Sequence, residues 1–100
     1  MPKLGIHLQH GFNDDEVVVT INGEERLRRQ GVRTKRMLGV AEHTKVDVDE
    51  GPLSIDVSVP SRNLEQHVDL HCAADLFLGL SITADGTIRA ITRDKQFGYG

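Results

Sequence analysis

Along residues 64–82 the even positions read Leu64, Gln66, Val68, Leu70, Cys72, Ala74, Leu76, Leu78, Leu80 and Ile82, apolar at every place but Gln66. The odd positions between them are polar or small except Phe77. A period of two is what a strand with one face in the core produces. The run is too long for one ordinary strand of about 5–6 residues. Two strands are therefore predicted, broken near Ala73 to Asp75. A helical rival rests on Asn63 and Gln66, spaced like a capping box after Pro60. It loses because apolar residues at 68, 70, 72 and 74 scatter around a helical wheel instead of forming a stripe.

The same alternation marks Leu53, Ile55, Val57 and Val59 as a strand that Pro60 closes, where a missing N–H suits a strand end. Val46 and Val48 alternate with Lys45, Asp47 and Asp49. The turn residues Asp49-Glu50-Gly51-Pro52 then predict a hairpin joining the two segments.

Two further hairpins centre on Asn22-Gly23, between Val17 and Arg29, and on Asp85-Gly86, between Leu78 and Thr92. A two-residue Asn-Gly loop would pair Val18 with Leu27 and split the apolar set over both faces. A three-residue loop ending in a left-handed Gly instead pairs Val17 with Leu27 and Val19 with Glu25. The same loop at Ala84-Asp85-Gly86 pairs Ile82 with Ile88, Leu80 with Ala90 and Leu78 with Thr92.

With a first strand around Leu4 to Gln9 and a weaker one around Arg33 to Val40, the chain holds about eight short strands with frequent turn signals. The fold class this predicts is all-β: an antiparallel β-sandwich or small barrel joined by hairpins. A length of 100 residues fits one domain over 1–100, with 94–100 as a loosely ordered tail.

Composition supports that reading. The chain has ten valines, three Phe, one Tyr and no Trp, so its core must come from aliphatic, strand-favouring side chains. No apolar stretch is long enough for a spanning helix, and the first residues lack the apolar segment of a signal peptide. A soluble, cytoplasmic protein is the expectation, with no membrane partner. The lone Cys72 excludes an internal disulfide and any paired-Cys zinc motif. On the apolar parity of its strand it is expected to be buried and inert, with its thiol pKa raised.

Candidate chemistry is sparse. His67, Asp69 and His71 share one strand face, so a metal such as zinc is one reading, and no other cofactor is predicted. Residues two apart on a strand stand about 7 Å apart and can share an ion, whereas His67 and His71, about 13 Å apart, cannot both reach one easily. A site there needs a ligand from a neighbouring strand, such as Asp56, or from His7, His10 or His43. The bland reading of the same residues is a polar strand face.

Arg26, Arg28, Arg29, Arg33, Lys35 and Arg36 concentrate positive charge in one segment, which offers anion or nucleic-acid binding. A formal net charge of -3 and the absence of interleaved aromatics argue for a solvated edge strand instead. Asn13-Asp14-Asp15-Glu16 clusters oxygens that could hold calcium but lacks the spacing of a calcium loop. Gly79 within a strand marks a bulge or a close approach. No nucleophile elbow, zinc-protease helix, phosphate loop or dinucleotide turn is present, so no enzyme class is indicated. The residues point first to a non-catalytic binding or protein-interaction module for a protein partner or small ligand. It would work through strand edges or loops and be open to oligomerisation through edge strands.

Overall fold

The computed structural model describes residues 2–34 and 42–95. They form β1 (Lys3–Leu8), β2 (Asn13–Ile21), β3 (Glu24–Arg33), β4 (Glu42–Asp47), β5 (Gly51–Val59), a 3-10 turn at Pro60–Arg62, β6 (Leu64–Cys72), β7 (Leu76–Ile82) and β8 (Ile88–Arg93). One four-stranded sheet has the order β4-β1-β7-β8 and the other β3-β2-β5-β6. Packed face to face, they make a small β-sandwich. Every strand pair is antiparallel except β1 with β7, which is parallel.

Parity explains the core. Leu4, Ile6 and Leu8 of β1, Val17 and Val19 of β2, Ile55, Val57 and Val59 of β5 and Leu78 and Leu80 of β7 are all at most 1% exposed. Each such side chain contributes about 1.5–3 kcal/mol by leaving water. The inner strands of each sheet therefore carry most of the stabilisation, and the four edges carry the polar sequence.

The break at Ala73 to Asp75 stands as predicted, and it carries the chain from one sheet to the other. The β7–β8 register is also as predicted, with Leu78 opposite Thr92, Leu80 opposite Ala90 and Ile82 opposite Ile88. Gly86 takes φ +82° in that loop, and its N–H donates to Thr83 O at 3.0 Å.

The β2–β3 hairpin differs. Its loop is the two residues Asn22 and Gly23, at φ +51° and +82°, the pair of left-handed positions a tight primed turn requires. The apolar set stays on one face because the ladder slips between Val19 and Thr20. Thr20 faces Glu25, Val19 faces Leu27, and Arg26 is the extra residue of a bulge. A bulge and a longer loop both shift the register by one, and the chain uses the bulge.

The predicted hairpin over Asp49 to Pro52 does not form. β4 pairs with β1, while β5 pairs with β2 and β6 in the opposite sheet. Val48, 3% exposed, dips into the core and its N–H donates to Pro2 O at 3.1 Å, so the chain is crossing between layers where a hairpin was expected. The helical rival after Pro60 reduces to the 3-10 turn, which Asn63 ends at φ +56°. The strand expected around Arg33 to Val40 is represented only by the end of β3. Its remainder, and most of the tail 94–100, lie outside the described residues.

Candidate functional site

β6 is an edge strand of its sheet, paired with β5 in an unbroken register from Gly51 opposite Cys72 to Val59 opposite Leu64. Asp56 stands directly opposite His67. His67 Nδ1 lies 2.7 Å from Asp56 Oδ1, and its Nε2 lies 2.8 Å from Asp69 Oδ1. Both ring nitrogens can donate only when the imidazole is protonated. The hydrogen bond to Asp56, then that to Asp69, accordingly holds the His67 pKa above its ordinary 6.5.

Of the three residues grouped as metal ligands, His67 and Asp69 thus meet, with the neighbouring-strand Asp56 beside them. His71 sits further along β6, opposite Pro52. Among the described residues no group of three or more His, Cys, Asp or Glu is disposed to hold an ion. The arrangement favours the protonated imidazole, which can donate one ring N–H to each of the two carboxylates. A shallow cleft of about 430 Å³ beside it is lined by Thr20, Asp56, Ser58, Glu65, Gln66 and His67, so its polar groups are mostly acceptors and hydroxyls.

Only Cys72 of β6 is buried, while Glu65, Gln66, His67, Asp69 and His71 are exposed. The inward-parity residues Leu64, Val68 and Leu70 are half-buried and pack against the core from its rim. Cys72 itself is fully buried, and burial raises its thiol pKa, as expected of an inert packing residue.

The basic residues sit on the opposite edge. β3 is the other edge of the same sheet, and its described arginines are largely partnered. Arg28 meets Glu16 at 3.0 Å and Glu25 at 2.8 Å, and Arg29 meets Glu42 of β4 at 2.6 Å. Arg26 donates to Asp47 O at 2.7 Å. Arg29 and Arg26 therefore stitch the edge of one sheet to the edge of the other, and carboxylates dilute the positive field that an anion site would need. Arg33 ends β3, and Lys35 and Arg36 lie outside the described residues.

The acidic cluster before β2 is also committed. Asp15 accepts from Asn13 N–H and Arg62 on Oδ2, and from Ser61 and Arg62 on Oδ1. With both oxygens occupied by donors, Asp15 is not placed as a calcium ligand. Sequence reasoning missed Ser61 and Arg62 as its partners, because nothing local links positions so far apart. Gly79 proves to be a close approach: a side chain there would meet the Gln9 amide at 2.6 Å.

Compared with known proteins, the chain matches no family model, no curated protein and no solved structure.

Proposed function

We propose that the chain is a non-catalytic protein-interaction module that recruits an extended segment to the outer edge of β6. One observation carries this reading: β6 is a nine-residue edge strand, regular over its whole length and exposed at every outward position. Such an edge presents a row of backbone donors and acceptors to a further strand. Natural edges are commonly blocked by bulges, inward charges or shortness, and the other edges here use those devices. β3 carries two of the three irregularities in its pairing with β2 and the Arg29 pair, and β4 and β8 have six residues each.

The half-buried Leu64, Val68 and Leu70 supply apolar contact, and the polar face supplies selectivity. A metal site at His67, Asp69 and His71 gains less support, because carboxylates already occupy both nitrogens of His67. Among the described residues no helix is long and apolar enough to cross a membrane. The cytoplasm is the compartment this reading takes, since the buried Cys72 has no second cysteine to pair with.

Panning a displayed library of nine-residue peptides against the full chain tests the reading. Retained peptides should slow amide exchange across residues 64–72. Protection that falls instead on β4 or β8, or a library from which the chain, shown to be monomeric, retains nothing, overturns it.

A further inference from the structure

We propose that the strand docked on β6 is the β6 of a second copy of this chain, paired antiparallel about a twofold axis through Val68. The proposal rests on the strand-addition reading above and names its partner. The outward residues of β6 run Glu65, His67, Asp69, His71, an alternation of carboxylate and imidazole. Turning the strand end for end about Val68 sets position 65 opposite 71 and position 67 opposite 69. Every carboxylate then meets an imidazole of the other copy. Directly opposed side chains in an antiparallel pair have Cβ atoms about 5 Å apart, which brings Glu65 and His71 within reach of a hydrogen bond. Both nitrogens of His67 are already bonded within their own chain, so the 67–69 pairs add complementary charge alone.

The same centre is the one that engages the whole strand, with Leu64 opposite Cys72. On the inward face Val68 meets its own copy on the axis and Leu70 meets Gln66, so the half-buried rim of the core gains cover. Asp69 spends Oδ1 on its own His67, and Glu65 with His71 form the outermost pair on the outward face of the joined strands.

The remaining edges argue against themselves as twofold partners. Pairing β8 with its copy about Ile91 would set Arg89 against Arg93, like charge on like charge. β3 is interrupted by its bulges, and β4 is held to β3 by Glu42 and the Asp47 carbonyl. Of the four edges, β6 is long, regular and complementary to its own reverse.

Sedimentation equilibrium of the full chain should give a mass of twice 11.1 kDa. Glu65→Lys sets an ammonium against the partner's His71, and His71→Glu sets a carboxylate against the partner's Glu65, each twice per dimer. Either variant should weaken association about tenfold or more, while the combined charge swap restores it. Both positions are exposed, so circular dichroism should show each variant folded. Val68→Cys should cross-link on oxidation with diamide, because opposed Cα atoms about 4.5–5.5 Å apart suit a disulfide. Gln66→Cys should not.

A chain monomeric up to about 1 mM, or a dimer indifferent to both single substitutions, overturns the proposal. So does a charge swap that fails to restore association. If such a monomer still captures displayed peptides with protection over 64–72, strand addition stands and only the self-partner falls. If it captures none, both fall together.

Discussion

Arg62 grips Asp15 with two nitrogens at once, Nε at 3.0 Å from Oδ1 and Nη2 at 2.8 Å from Oδ2. The Asp15 side chain is 4% exposed and that of Arg62 35%, so a desolvated anion is held by a cation that still reaches water. Arg62 Nη2 also donates to Gly11 O at 2.9 Å. The pair ties the turn after β5 to the irregular start of β2, where Asp14 takes φ +57°.

Removing the cation leaves a buried carboxylate uncompensated, so Arg62→Met should cost about 3 kcal/mol and Asp15→Asn less. The pH dependence follows from the same contacts. Burial alone would raise the Asp15 pKa, but Arg62, the Asn13 N–H and Ser61 more than offset it and hold it below the ordinary 3.8. A depressed carboxylate contributes stability fully above the unfolded value and loses it as pH falls through the folded one. The gap in urea midpoint between wild type and Asp15→Asn should therefore shrink below pH 3.8. A gap that stays constant down to about pH 2 would contradict this account.

His67 titrates in the opposite sense to an isolated histidine in a core. When protonated it donates one ring N–H to Asp56 and the other to Asp69 in the open, and its midpoint, read by NMR from the imidazole C–H, should lie above 6.5. Asp56→Asn and Asp69→Asn should each lower that midpoint, because each carboxylate accepts from one ring nitrogen. For a histidine with a raised pKa, the stabilising contribution is complete below 6.5 and disappears as pH rises through the folded value. Equal midpoints in all three proteins would show that the two carboxylates do not hold the proton.

Local sequence specified some of this architecture and left the rest open for identifiable reasons. The β7–β8 register was legible because Ile82, Leu80 and Ile88 fit one face with a single three-residue loop. The same reasoning failed at β2–β3, where a bulge at Arg26 reaches the same facial outcome by another route. Alternation in Val46, Val48 and Leu53 to Val59 shows which face is apolar. It does not show which strand lies alongside, and so the crossing between sheets was hidden. At the candidate site, parity placed His67 and Asp69 on one face, but the edge position of β6 depends on long-range pairing. Gln66 at an inward position was its one local trace, since a polar residue can face inward where the core is open to water.

His7 offers the counterpart to His67 on the other sheet. It lies between His43 and Gly79 in register, is 3% exposed, stacks on His43 with ring centroids 5.4 Å apart, and meets Phe77 edge-on at 6.1 Å. Burial first, then the charges of His43 and Lys45, push its pKa below 6.5. The folded protein therefore takes up a proton at this site less readily than the unfolded chain. Stability is complete above 6.5 and declines as pH falls from there through the folded value. One NMR titration should show both effects, with the His7 midpoint below 6.5 and the His67 midpoint above it. His43→Gln should move the His7 midpoint upward without restoring it fully, because burial is the larger cause and remains. His7→Gln should flatten the loss of melting temperature between about pH 6.5 and pH 5. A His7 midpoint at or above 6.5, or one that His43→Gln leaves unmoved, would mean that the imidazole is neither desolvated nor coupled to its neighbour as the stacked geometry requires.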